Sequence, residues 1–420
     1  MLRIFHYVLR KSQKPLHKFL RNYLYSRKEN RVHFLSDLSE GKRVHKALSV
    51  NVKEKEFMGT NGKMSRKQKM KVILFAVETV IILGMLAALY MVMNKASEGP
   101  KIAKLDPQAL EIHEEVQQLT QEGGTMQGYM NIALFGLDAE KESELYKNSR
   151  SDVIMIASIN LDTGDIKLVS VYRDTYLFLG PFQGHDEYYW KCNSAYFNGG
   201  AEQAVKMLNM NLDMDITDFV AVSYKGLRDV IDGLGGIYVD VDEVELLHIN
   251  NYQIGIAHAL KCDYVPVSEP GYQLLDGMQA AAYCRIRQTK GDDFKRTARQ
   301  REVLRAIEER AKETDLTTLT KVFNDCIGNI YTSLDSGDIL DLLANIANYR
   351  ITEEAGFPDE TLRATGNIGA KGDCVIPKSL EENVKWLHEF LFEDENYSVT
   401  DNVKEYDKRI EEDTSKYLRK

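Results

Sequence analysis

The chain has 420 residues, 54 Lys and Arg against 63 Asp and Glu, a formal net charge of −9 and 44% hydrophobic residues. That apolar content excludes a wholly disordered chain, and the length allows one or two packed domains. Charge is divided along the chain: residues 1–72 hold 19 Lys and Arg against 5 Asp and Glu, so everything after them is strongly acidic.

Residues 1–71 read as a basic cytoplasmic tail drawn to anionic lipid headgroups. No nucleic-acid recognition module is legible there, so no nucleic-acid partner is expected. The stretch VILFAVETVIILGMLAALYMVM, residues 72–93, carries one charge, Glu78. About 20 apolar residues span a bilayer, so it reads as a transmembrane helix. It starts too far in and is too long to be a signal peptide. Its basic flank SRKQKMK puts the N-terminus in the cytoplasm and the bulk of the chain outside a single-pass cell membrane. Residues 94–128 read as an extracellular linker with a short helix.

From 129 to 394 the pattern is that of a folded domain. MNIALFG (130–136), DVIMIASIN (152–160) and IKLVSVY (166–172) read as strands, and the LDTGD turn between the last two predicts a hairpin. Helices are expected near 200–211, 224–232, 274–283, 294–312, 316–330, 336–347 and 379–392, with further strands at 219–224 and 236–241. Helices interleaved with strands predict a layered α/β domain around a mixed sheet. Residues 395–420 read as a charged C-terminal tail, frayed or a lone helix.

Within 285–300, Arg285, Arg287, Arg296, Arg299 and Gln300 crowd together in this acidic region. On a helix from Phe294 onward, Arg296 and Gln300 share a face with Val303, Leu304 and Ile307. That face reads as core. A guanidinium there needs an anion, and phosphate suits its planar fork of donors. Asp292 or Asp293 would serve the same need internally. The hairpin brings Arg150 and Asp152 beside Arg173 and Asp174. If the first strand runs beside the third and parallel to it, Asp138 reaches the same rim. Two carboxylates beside an arginine suit magnesium with a phosphate ligand.

Other motifs carry less. Asp276 in LDG can simply cap a helix. GLGG at 233–236 lacks the Walker pattern and reads as a tight turn. His113, His185, His248 and His258 sit in no triad context, and there is no G-x-S-x-G. The five cysteines (192, 262, 284, 326 and 374) have no metal spacing and allow at most an unassigned disulfide.

Six ordered blocks are more specific. They are NIALFGLD (131–138), RSDVIMIASIN (150–160), LVSVYRDTY (168–176), KCNSAYFNGG (191–200), VIDGLGGIYVDVD (230–242), and LDGMQAAAYCRIR with DDFKRTARQREVL (275–304). Together they resemble the LytR-CpsA-Psr cell-wall ligases. The resemblance implies an α/β/α sandwich with a central mixed sheet, preceded by a single transmembrane helix, with 129–394 as the catalytic domain. It implies a phosphotransferase that moves a wall glycopolymer (teichoic acid, capsular polysaccharide or a related secondary glycan) from undecaprenyl pyrophosphate to the N-acetylmuramic acid hydroxyl of peptidoglycan. The lipid chain would lie in an apolar cleft, expected along the helices at 200–232 and 316–347. Asp138 and Asp152 match the family's magnesium-associated aspartates, and Arg173 its SxPRD-like block, with Tyr172 where proline is common. Arg285 and Arg287 match its R-x-R pair. Arg296, Arg299 and Gln300 match R-x-x-R-Q. Arg173, Arg285, Arg287, Arg296, Arg299 and Gln300 would bind the pyrophosphate, and Asp138 and Asp152 would hold magnesium. A polyprenyl-pyrophosphate hydrolase and a non-enzymatic envelope regulator or scaffold are the alternatives.

Overall fold

The computed structural model describes residues 101–139, 142–182, 184–287 and 292–417; the basic tail and the apolar stretch 72–93 lie outside them. The first part runs β1 (Lys101–Ile102), α1 (Glu114–Leu119), β2 (Tyr129–Leu137), β3 (Ser151–Asn160), β4 (Asp165–Val171), β5 (Tyr176–Phe178), β6 (Tyr189–Lys191) and α2 (Ser194–Leu212). Next come β7 (Asp218–Ser223), α3 (Tyr224–Gly233), β8 (Ile237–Val241), α4 (Glu243–Leu260), β9 (Gly271–Leu275), α5 (Gly277–Tyr283), α6 (Asp292–Glu313) and α7 (Leu316–Cys326). The chain ends with β10 (Ile330–Thr332), α8 (Ser336–Ala344), β11 (Arg350–Phe357), β12 (Arg363–Asn367), β13 (Asp373–Pro377), α9 (Leu380–Phe392) and α10 (Asp401–Thr414).

Seven strands form one mixed sheet in the order β1-β10-β7-β2-β3-β4-β11. β3 and β4 make the expected hairpin. Its turn needs Gly164, at φ 78°, because a Cβ there would meet the Asn348 carbonyl oxygen at 2.1 Å. β2 is not beside β4. It pairs antiparallel with β3 on the other side, so β2 and β4 run parallel with β3 between them. The ends of β2 and β4 and the start of β3 therefore still meet at one rim. β7 adds parallel to β2, and β11 adds parallel to β4.

Alternation along β2 divides the two faces of the sheet. Ala133, Phe135 and Leu137 enter the main core with Tyr196, Val205 and Leu208 of α2, Leu387 of α9 and Ile410 of α10. Leu134 looks the other way, toward a cluster that includes Ile339 and Leu342 of α8. A second core joins α3, α4, α5, α6 and the β8–β9 hairpin through Ile231, Val239, Ile249, Leu275, Tyr283 and Val303. Helices thus cover both faces of a central mixed sheet. Among the described residues no helix is long and apolar enough to cross a membrane.

Two segments are better ordered than their sequence suggests. The expected linker contributes Leu110, Val116 and Met126 to the main core. The expected tail contains α10, whose Val403 and Ile410 are buried. Tyr406 of α10 packs on Phe178 at 4.7 Å between ring centroids, and Tyr176 donates a 2.9 Å hydrogen bond to Asp413. Valine, tyrosine and isoleucine at 403, 406 and 410 make a narrow helical stripe within a charged segment, enough to dock it.

Candidate active site

The rim begins with Asp152, at the start of β3. Arg173, just past the end of β4, donates from Nη1 to Asp152 Oδ1 at 2.6 Å. Arg287 donates from Nη2 to Asp152 Oδ2 at 3.4 Å, so one carboxylate holds two guanidiniums. Arg173 Nε also lies 3.5 Å from Asp174, whose other oxygen is 3.1 Å from Lys191 Nζ. Arg285 takes a different support: its guanidinium lies over the Tyr224 ring, 4.6 Å from the centroid. Burial raises the Tyr224 hydroxyl well above its ordinary range. The nearby carboxylates of Asp152 and Asp138 push the same way, while Arg285 opposes them. Both aspartates are therefore within electrostatic reach of one ring. Asp138 is exposed at the end of β2, where its N–H reaches the Arg150 carbonyl at 3.4 Å.

Helix α6 supplies the next layer, with the predicted face buried: Arg296 is 3% exposed, Gln300 5% and Val303 1%. Arg296 Nη1 is 3.1 Å from Asp293 Oδ1, so the internal carboxylate foreseen for it is present. The pairing is incomplete. Among the described residues, Arg296 Nε and Nη1 and Arg173 Nε are buried without a hydrogen-bond acceptor. Burial pulls the Arg296 guanidinium below its ordinary value; Asp293 opposes this, while Arg173 and Arg287 add repulsion. Unsatisfied buried donors beside like charges are costly, and an anion would relieve both defects. Arg299 points elsewhere. It donates to Glu245 of α4 at 2.6 Å and to the Ile286 carbonyl at 3.3 Å, tying α6 to the second core.

Below the rim lies an apolar cleft of about 150 Å³. Its ceiling is the sheet face away from the main core, where Leu134, Met155 and Val220 form one cross-strand row and Gly136, Val153 and Val222 the next. A Cβ at Gly136 would meet Val153 Cγ2 at 2.6 Å, so glycine keeps this row open. Tyr224 and Leu227 of α3, Cys284, and Gln300, Val303 and Leu304 of α6 complete the lining. The cleft thus uses α3 as foreseen. Helices 200–211 and 316–347 do not line it; α2 packs into the main core on the opposite face of the sheet. Gln300 Nε2 donates to the Cys284 carbonyl at 3.3 Å, and Cys284 itself packs, its thiol pushed up to about 12 by burial.

Asp276 caps α5 in a full capping box with Gln279. GLGG is a turn, with Gly235 and Gly236 at φ 80° and 93°. All five cysteines are free. Tyr172, in the position where proline is common, stacks edge-on against Phe294 at 4.7 Å and is covered by Arg363, so it pins the end of β4 to α6. Lys191 was not singled out from the sequence. Its signal was a lysine at the end of a three-residue strand in a block already noted, and only the fold brings it to Asp174.

Oxygen donors suit a hard cation, and magnesium commonly takes one or two protein carboxylates and completes its shell with phosphate and water. Asp138 and Asp152 fit that description. Among the described residues no group of three or more His, Cys, Asp or Glu is arranged to hold a metal by protein ligands alone.

A rim of arginines and aspartates over an apolar cleft joins a cationic surface to a hydrophobic one. Residues 88–375 match the LytR_cpsA_psr family, and the chain belongs to that family. It is 28% identical over 242 residues to the polyisoprenyl-teichoic acid–peptidoglycan teichoic acid transferase TagU of Bacillus mycoides, covering 57% of this chain and 72% of that one. The TagU of Oceanobacillus iheyensis is 30% identical over 244 residues, covering 56% and 67%. The biofilm regulatory protein A of Streptococcus mutans is 26% identical over 279 residues, covering 61% and 66%. Among solved structures, a Streptococcus agalactiae protein matches with a TM-score of 0.53 at 24% identity, covering 69% of this chain and 93% of that one. That likeness concerns the fold.

Proposed function

We propose that the chain is a membrane-anchored phosphotransferase that moves an anionic or secondary wall glycopolymer from a polyprenyl (undecaprenyl) pyrophosphate carrier to an N-acetylmuramic acid hydroxyl of peptidoglycan. The observation that carries this reading is the placement of buried, under-satisfied arginine donors directly above an apolar cleft. A pyrophosphate and a prenyl chain are joined in the same order. The transferase names of the TagU relatives support the polymer and the acceptor.

In this reading Arg173, Arg285, Arg287 and Arg296 clamp the pyrophosphate oxygens and offset the charge that builds in transfer. Tyr224 stays neutral and keeps Arg285 aimed. Gln300 sits where the cleft meets the rim. The acceptor hydroxyl oxygen forms a bond to the phosphorus that carries the glycan. The bond between the two phosphates breaks, and polyprenyl phosphate leaves with that electron pair. Asp152 is engaged by two arginines, whereas no side chain among the described residues engages the carboxylate of Asp138. Asp138 is thus the better placed to take the hydroxyl proton. Asp138 and Asp152 would together hold magnesium, which when bound neutralises phosphate charge. Residues 72–93 would anchor the domain on the outer membrane face, beside the lipid carrier.

The test uses the full chain in detergent with a polyprenyl-pyrophosphate-linked saccharide, magnesium and peptidoglycan fragments, followed by mass spectrometry. A magnesium-dependent saccharide-phosphate adduct on peptidoglycan, lost in Arg285→Ala, is expected. Saccharide phosphate released to water without adduct would favour a hydrolase. Neither turnover nor lipid binding would leave only the scaffold reading.

A further inference from the structure

The outward face of the β8–β9 hairpin has no role in the site described above. Alternation buries Ile237, Val239 and Val241 and sends Tyr238 and Asp240 outward; β9 sends Tyr272 and Leu274 the same way. The register sets Tyr238 opposite Leu274 and Asp240 opposite Tyr272. The two tyrosine rings stack across the strands, 5.4 Å between centroids and 18° between planes. They form an aromatic pair that is not buried: Tyr238 is 47% and Tyr272 70% exposed.

The aromatic pair is one wall of a concave groove of about 340 Å³, whose other walls are Glu302, Arg305 and Glu309 of α6 and Glu354 of β11. That volume suits a sugar ring. Glu354 is fixed by Arg301 at 3.3 Å and by Arg305, and Glu302 accepts from the Tyr283 hydroxyl at 2.8 Å. Asp240, Glu309 and the hydroxyls of Tyr238 and Tyr272 have no hydrogen-bond partner among the described residues. The groove therefore offers a rigid aromatic floor, fixed walls and free polar groups at its edge.

We infer that this groove binds a saccharide chain through its C–H faces and hydroxyls, and that the saccharide is neutral or amino-bearing. Flat rings pack against the C–H face of a pyranose, while carboxylates accept its hydroxyls. Four carboxylates against one lining arginine repel a polyanion, an anionic lipid surface or a nucleic acid. Given the transfer proposed above, on which this assignment of the ligand rests, the groove holds the acceptor glycan, and the cationic rim takes the anionic donor. Helix α6 carries both sites. At about 1.5 Å per residue, Glu302 and Glu309 lie roughly 9 and 20 Å along the helix from Arg296, a span of one or two disaccharides.

The test is calorimetric titration of the full chain in detergent with two probes of similar size. Chitotetraose is neutral, and a hyaluronan tetrasaccharide carries carboxylates. Chitotetraose should bind saturably and at least about tenfold tighter than hyaluronan. Tyr272→Ala and Asp240→Asn should each weaken it by about tenfold, with Tyr272→Phe close to the parent. Arg285→Ala should leave chitotetraose binding intact. Absence of saturable binding, equal binding of the anionic probe, or indifference to Tyr272→Ala in the folded protein would overturn the inference. Donor turnover is scored separately. Lost saccharide binding with donor turnover intact overturns the groove alone; absent donor turnover with chitotetraose bound overturns the transfer reading alone.

Discussion

Asp213 and Arg296 are both charged side chains taken out of water, and the protein finishes them in opposite ways. Asp213, at the end of α2, is met by His113 Nδ1 at 2.8 Å, the Thr400 hydroxyl at 2.8 Å, the Thr400 N–H at 2.9 Å and the Tyr397 hydroxyl at 2.9 Å. Burial alone would raise its carboxyl, yet these donors outweigh that and hold it below the ordinary range. Among the described residues, Arg296 has one imperfect carboxylate and two buried nitrogens without an acceptor. A charge that serves only the fold is fully satisfied by the fold. One left short of partners, beside two other arginines and above an apolar cleft, has room for something from outside.

Breaking each side of this comparison should give different readouts. The largest effect is expected on the satisfied side: Asp213→Ala should lose about 3–5 kcal/mol of stability, since it strips a buried hub of its acceptor. Denaturant melts would show it, with activity per folded molecule unchanged. On the open side, Arg285→Ala should leave the melt near the parent and lower transfer about 100- to 1000-fold, equivalent to about 3–4 kcal/mol in the barrier.

The satisfied region should also sense acid. His388 is buried, stacks on Tyr397 at 3.6 Å and, among the described residues, hydrogen-bonds only from Nε2, which donates to the Leu212 carbonyl at 3.1 Å; burial lowers its pKa to about 4, with Asp213 and Asp394 opposing. Its unfolded value is near 6.5, so the unfolded chain binds the proton first. Stability is full above about pH 6.5 and falls as pH drops toward 4, by about 3 kcal/mol in total. His388→Gln should flatten that slope, which thermal melts between these pH values would reveal. The smallest effect concerns the cleft. Leu134→Trp should weaken binding of a long prenyl pyrophosphate by about tenfold, or about 1.4 kcal/mol, and leave a short-chain analogue unaffected. Titration of both lipids would separate them.

What the sequence showed and what it hid have physical causes. Strands β2, β3 and β4 were legible because each is a run of apolar residues long enough to be buried on both sides. The face of α6 was legible because 296, 300, 303 and 307 repeat at helical spacing. The rim was legible through strand direction, although the neighbour assumed for β2 was wrong. Helix α4 was missed: its core residues are diluted by exposed Val244, Leu247 and Ile254, and its clearest mark was the capping box of Asp242 and Glu245. The short strands β10, β12 and β13 carry too little pattern to stand out. Arg299 differs from Arg296 by three positions, and no local pattern says that Glu245 waits for one and not the other. The pair of Tyr238 and Tyr272 is joined only by the register of a hairpin with a helix between its strands.

The most direct test is a structure of the full chain bound to geranyl pyrophosphate. Phosphate oxygens are expected within hydrogen-bond distance of Arg296 Nε or Nη1 and of Arg285, with the prenyl chain between Leu134, Val153 and Leu304. A prenyl chain outside that cleft, or a pyrophosphate that leaves the Arg296 nitrogens without an acceptor, would contradict that expectation.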